Sequence, residues 1–330
     1  MKRYLILALC VGLAMVLIPA AFCAKYKSGI DPPEPETHTP VPEAEETLEN
    51  ETVTVYLAEA GETRTLSMRD YIVCAVAGEM PAAYEPEALR AQALASVTLT
   101  RYMKKHNKNN GSLSGAVIST DPAQYQGYLS VSEMRARWGE NFDAYYAKLC
   151  AAVDAVLPLQ ITYGGAPILA AFHAISPGMT ETSETVWRKA LPYLVNCESA
   201  GDKLSPGYSS YETVSPGSLL ETLSLTAPED ASPAEWLGEA EYSAAGTLLS
   251  VEICGTPFTG FRLREAFSLR SAAIRVTWES DAFLFSVSGY GHGVGLSQYG
   301  ADYFARQGMD YAEIIAHYYP GTEIGPAFVP

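Results

Sequence analysis

Residues 71–102, YIVCAVAGEMPAAYEPEALRAQALASVTLTRY, place one carboxylate, Glu79, at the junction of two helical patterns. Ile72, Ala75, Val76 and Glu79 fall at i, i+3, i+4 and i+7, one face of a helix, and that face is apolar except for the glutamate. Pro81 stops the segment. Pro86, tolerated in a first turn, starts the next one, with Glu87 at the positive end of the helix dipole. Glu79 is therefore expected at a helix end, against apolar surface and beside a turn. A carboxyl placed there loses hydration when it ionises, which raises its pKa and suits it to donate a proton near neutral pH. A surface glutamate at a helix terminus fits the same spacing.

Around this stretch, the 330-residue chain is 48% hydrophobic and 18% charged, enough for one large domain or two modest ones with real cores. Its formal net charge of -16 argues against nucleic acid or anionic lipid headgroups as partners, since either needs clustered Lys and Arg. The 21 tyrosines suit carbohydrate or peptide contacts, and equally ordinary core and rim positions. Upstream, Lys2 and Arg3 precede an uncharged apolar run from Tyr4 to Cys23 that matches a bilayer core in length. Ala21-Phe22-Cys23 makes a poor cleavage site. Residues 1–24 are thus expected to be an uncleaved single-pass membrane anchor rather than a signal peptide, with the domain extracytoplasmic. Residues 25–51 read as an acidic, Pro-rich linker, too poor in apolar side chains to fold, with His38 solvated. Cys74, Cys150, Cys197 and Cys254 have no spacing that selects a pairing or a metal site, and buried or free thiols are expected.

Downstream, TVTVYL from Thr52 turns at Ala60-Gly61-Glu62 and returns as TRTLSM, a hairpin leading into the helices around Glu79. The second helix carries Ala88, Ala91, Ala93 and Ala95, small residues that admit close neighbours, and ends by the Asn109-Asn110-Gly111 breaker. GAVIS reads as a short strand, DPAQYQGY as a loop, and 131–156 as helical. LQITYGG and APILAAFHAIS form a hairpin around Gly164-Gly165 that leaves His173 partly buried, followed by a loop with Ser176, Gly178, Thr180 and Glu181. SPGSLLETLSL and SPAEWLG read as short helices, then TLLSVEICG, FTGFRLREAF, AAIRVTWES and DAFLFSVSG as strands, so about 200–270 is expected to be a smaller subdomain. The expected class is α+β: a mixed core domain over 52–330 with a smaller α/β subdomain, preceded by a transmembrane helix and a disordered linker.

The other unusual passage starts at Gly289, GYGHGVGLSQYGADYFARQGMDYAEIIAHYYPGT. Gly289, Gly291, Gly293 and Gly295 alternate around His292, so that backbone approaches a ligand closely while the imidazole points inward. The run is not a phosphate-binding loop, lacking the Lys-Ser/Thr, and it departs from the dinucleotide fingerprint. Ser297 is followed by Gln298 and Tyr299, which excludes a nucleophile elbow. A metal site from His292, His173 and His317 lacks close ligand spacing, and a glycine-rich strand end packed for structure alone also fits. Two helices follow, Leu296 to Gln307 and Tyr311 to Tyr318.

Together, YIVCAVAGEMPAAYEPEALRAQALAS, DPAQYQGY, FHAISPGMTE with VWRKALPYL, and GYGHGVGLSQYGA with HYYPGT resemble the stage II sporulation protein D family and its relatives, the modifiers of cell-wall amidase. The resemblance runs in order from about Val53 to Thr322. It implies a membrane-anchored lytic transglycosylase that cleaves MurNAc-GlcNAc bonds of peptidoglycan during sporulation and engulfment, preferring strands stripped of stem peptides. Glu79, in the EMP motif, takes the role of catalytic acid. A glycosidase normally needs two carboxylates; a lytic transglycosylase manages with one, because the C6 hydroxyl of muramic acid attacks the anomeric carbon and leaves a 1,6-anhydroMurNAc end. The resemblance further implies substrate contacts for His173, Thr180, His292 and Gln298, through positioning or stabilisation of an oxocarbenium-like transition state. Val97 stands where the family has an Arg, and Arg101, one turn further on, is the expected substitute. Pro177 stands where the family prefers Gly, restricting the backbone before Gly178. Some relatives bind zinc through a His and two Cys in this region; no Cys follows His173 until Cys197, so no metal and no other cofactor is expected. Expected partners are peptidoglycan glycan strands, a cell-wall amidase and other membrane-bound engulfment proteins. The competing readings are a non-catalytic glycan-binding scaffold or amidase activator, and a metallohydrolase.

Overall fold

A computed structural model describes residues 50–107, 113–121 and 124–327. The hairpin forms as the pattern predicts: β1 (Thr52–Leu57) pairs with β2 (Glu62–Ser67) from Thr52 opposite Ser67 to Leu57 opposite Glu62. Ser67 then caps α1 (Met68–Glu79), its hydroxyl accepting from the Asp70 N–H at 3.1 Å. Helix α1 ends at Glu79, two residues before Pro81, and α2 (Pro86–His106) starts on Pro86. From Ala88 to Arg101 every residue of α2 except Arg90 is buried, so this is a central helix and not an amphipathic surface one.

The chain continues through β3 (Ile118–Ser119), α3 (Val131–Trp138), α4 (Phe142–Val156), β4 (Leu159–Tyr163), β5 (Ala166–Pro167) and β6 (Phe172–His173). Next come α5 (Ser183–Trp187), β7 (Ser209–Val214), α6 (Pro216–Leu223), β8 (Leu237–Tyr242), β9 (Leu248–Ile253), β10 (Thr256–Phe258) and α7 (Gly260–Ala266). The last elements are β11 (Ile274–Glu279), β12 (Ala282–Ser288), β13 (Leu296–Ser297), α8 (Gln298–Arg306), α9 (Tyr311–Tyr318) and β14 (Glu323–Pro326). The larger core gathers around α1 and α2, whose alanines let α4, α8, α9 and β4 approach. Buried hydroxyls on α2 are satisfied: Thr98 donates to the Leu94 carbonyl at 2.8 Å and accepts from the Ile161 N–H at 3.0 Å, which ties β4 to the helix. A second apolar cluster, from Val214 to Val287, is built from residues of the sheets β11-β12-β7 and β10-β9-β8 with Leu219 of α6 and Leu263 of α7.

Two expectations are corrected. The chain was expected to be an α+β domain behind a transmembrane helix and a disordered linker. Instead, the described residues interleave helices and strands as a mixed α/β arrangement of small sheets of two or three strands, and among them no helix is long and apolar enough to cross a membrane. The run 4–23, residues 25–49 of the linker and the Asn109-Asn110-Gly111 breaker lie outside the described residues. Glu51, expected at the linker's end, is buried. The second correction is local. FTGFRLREAF reads as a strand because Phe261 and Leu263 alternate with arginines, yet it folds as α7: Thr259 accepts from the Arg262 N–H at 3.3 Å and starts a helix whose buried anchor is Leu263.

Candidate active site

Glu79 is held where two segments meet the end of α1. The loop after residue 124 docks on that helix, the Leu129 N–H donating to the Cys74 carbonyl at 2.9 Å. The approach requires glycine at 78, since a Cβ there would fall 2.5 Å from the Tyr128 nitrogen. So seated, the loop aims the Gly127 N–H at Glu79 Oε1, in a short hydrogen bond. From the other side, Gln298 Nε2 donates to Glu79 Oε2 at 3.1 Å. A relay orients that amide: Gln298 also donates to Gln92 Oε1 at 3.4 Å, and Gln92 donates to Ser96 Oγ at 3.1 Å. Burial raises the Glu79 pKa above the ordinary carboxylate value, and the donors from Gly127 and Gln298 only partly oppose it.

The glycine run brings the imidazoles in. Strand β13 pairs in parallel with β6, setting Ser297 beside His173, and so places Gln298 one residue on. Gly291, at φ +111, passes so close that a Cβ would lie 2.8 Å from His173 Cβ. His173 donates from Nδ1 to the Val294 carbonyl at 3.2 Å, while its buried Nε2 has no hydrogen-bond partner among the described residues. His292 Nδ1 accepts from the Val294 N–H at 3.0 Å, and its ring lies 5.8 Å from that of His173 and 5.4 Å from Trp187. Burial and the neighbouring His292 hold His173 at a pKa of about 3; burial and Arg264 hold His292 at about 4. Both rings are neutral at physiological pH.

Glu79, His173, His292 and Gln298 line one cavity of about 740 Å³. Among the described residues, Glu79 is the one carboxylate in its wall. A second depression of about 410 Å³, with Trp138 and Tyr145, also borders Glu79, so the carboxyl stands between two hollows.

The sequence of residues 56–163 matches the stage II sporulation protein (SpoIID) family. Over 290 residues the chain is 32% identical to stage II sporulation protein D of Bacillus subtilis (strain 168), covering 87% of this chain and 83% of that protein. The chain belongs to the stage II sporulation protein D family. To the stage II sporulation protein D of Bacillus amyloliquefaciens it is 33% identical over 288 residues, 86% of this chain and 82% of that one. It is also similar, at 24% over 303 residues, to a Bacillus subtilis (strain 168) protein named amidase enhancer, covering 76% of this chain and 39% of the relative.

In this member of the stage II sporulation protein D family, Arg101 and Thr180 are not brought to the cavity. Arg101 is buried and pairs with Glu51 at 2.7 Å, its remaining donors meeting the Leu157 and Leu159 carbonyls at 2.9 and 2.7 Å. Val97, one turn earlier, is packed in the core. The Thr180 hydroxyl donates to the Val195 carbonyl at 3.0 Å and accepts from the Cys197 N–H at 2.8 Å, which fixes the loop after His173. His317 bonds the Glu198 carbonyl at 2.7 Å and is not among the residues that line the cavity with His173 and His292. Among the described residues no group of three or more His, Cys, Asp or Glu is placed to hold a metal. The sequence reading assigned no role to Gly127, Gln92, Trp187 or Arg264. The DPAQYQGY motif was the signal for Gly127, but its contribution is a backbone N–H, which side-chain patterns do not report.

Proposed function

We propose that the chain is a lytic transglycosylase of peptidoglycan glycan strands, acting outside the cytoplasm with Glu79 as its acid and base. The observation that carries the reading is that, among the described residues, Glu79 is the one carboxylate in the cavity wall. Hydrolysis of a glycoside needs a second carboxyl to deliver water or to attack the sugar, whereas an internal hydroxyl dispenses with it. Protonated Glu79 gives its proton to the glycosidic oxygen as the bond to the muramic anomeric carbon breaks. The Gly127 N–H and Gln298 amide then stabilise the carboxylate. That carboxylate takes the proton of the C6 hydroxyl as its oxygen closes on the anomeric carbon, giving the 1,6-anhydro end and restoring the acid. Neutral His173 offers Nε2 as an acceptor for a sugar hydroxyl.

A second reading is favoured by the relative named amidase enhancer: the chain binds glycan without turnover and raises the activity of a cell-wall amidase. Incubating the chain and its Glu79→Gln variant with peptide-free strands separates the two. Shortened strands with the parent and intact strands with the variant are expected. Equal cleavage by both sinks the mechanism. Binding without cleavage, with amidase stimulation retained by the variant, supports the second reading.

A further inference from the structure

The second apolar cluster sends one cation to the cavity. Helix α7 carries Phe261 and Arg264 into its wall, beside His292 and Tyr290. Among the described residues, Arg264 is the one Lys or Arg that lines it, in a chain whose formal net charge is -16. Its Nε–H donates to the Leu269 carbonyl at 3.4 Å, and no carboxylate among the described residues pairs with its two Nη groups. Glu265 borders the neighbouring depression of about 540 Å³, which shares Arg264, Phe261 and Tyr290, and not this cavity. A partly desolvated guanidinium without a counter-charge favours an anionic ligand, and its planar fork matches a carboxylate.

Muramic acid carries such a group: its lactyl ether ends in a carboxylate when no peptide is attached, and in a neutral amide when one is. We propose that Arg264 anchors the lactyl carboxylate of a peptide-free muramic acid residue, in a subsite walled by Tyr290, Phe261 and His292; this rests on the glycan reading above. Arg264 is then a specificity-determining residue supplied by the second cluster, and Glu79 the reacting group supplied by the first.

The test is binding, read by titration calorimetry in a Glu79→Gln background that leaves strands intact. The ligands are peptide-free strands and the same strands with their lactyl carboxylates reduced to alcohols. Roughly tenfold tighter binding of the carboxylate form is expected, typical of a charge-assisted pair. Adding Arg264→Gln should abolish the preference while leaving the weaker affinity for reduced strands, which also shows that the variant is folded. Adding Arg264→Lys, which keeps charge and loses the fork, should retain part of it. A preference that survives Arg264→Gln, or equal binding of both strands by the parent, overturns this proposal alone. Failure of every strand to bind overturns the glycan reading with it.

Discussion

Glu51 and Glu79 are both carboxylates set against the larger core, Glu51 buried and Glu79 half-buried, and their surroundings differ in kind. Glu51 is 5% exposed and meets Arg101 at 2.7 Å and Lys104 at 3.4 Å. Glu79 has two neutral donors, no cation partner among the described residues, and a hollow on either side. Around Glu51 each charge is answered by another, which makes a clamp between the start of β1 and the end of α2. Around Glu79 the charge is answered only by dipoles, so ionisation is disfavoured and the proton is kept available. Burial alone does not separate chemistry from structure; the missing counter-charge beside a cavity does.

Exchanging each carboxylate for its amide tests this contrast most severely. Glu79→Gln should lower turnover on peptide-free strands by about 10³-fold while leaving the unfolding free energy within about 1 kcal/mol. Glu51→Gln should instead cost about 3 kcal/mol in urea unfolding, because Arg101 is left buried and unpaired. If the two variants lose stability equally, the contrast fails. Gln298→Leu should have a smaller effect, roughly a tenfold drop in turnover through lost support of the Glu79 carboxylate. An unchanged rate would show that the amide is a packing group.

A further test is the pH dependence of stability. The pKa of His173 falls from its ordinary 6.5 to about 3, so below pH 6.5 the unfolded chain binds a proton that the folded chain does not. Stability from this group is complete above 6.5 and is lost as pH falls towards about 3, with a slope of at most about 1.4 kcal/mol per pH unit. Glu79, with its raised pKa, tilts the curve the opposite way. The comparison is therefore between His173→Asn and its parent: unfolding curves from pH 7 to 5 should be flatter in the variant, and identical slopes would contradict the account.

Much of the Glu79 region was legible because its signals are local: the i, i+3, i+4, i+7 face, Pro81, Pro86 and the alanines of α2 all act within a few residues. The role of Arg101 was not. Its partner Glu51 lies 50 residues upstream, at the edge of a stretch that reads as linker, and nothing in the α2 pattern tells a clamp from a substrate contact. The pairing of β7 with β12, from Ser209 opposite Ser288 to Val214 opposite Phe283, was likewise hidden, since a Ser- and Tyr-rich segment becomes a strand only when a distant one supplies its ladder. Arg264 was missed for a related reason: reading α7 as a strand removed the helix that carries it to the cavity.

In the proposed mechanism one carboxylate suffices because the sugar attacks itself. Mass spectrometry of strands cleaved by the chain in heavy-oxygen water tests it directly. New 1,6-anhydroMurNAc ends, one water lighter than reducing ends and free of label, are expected. Labelled reducing ends would mean that water is the nucleophile, and would contradict that mechanism.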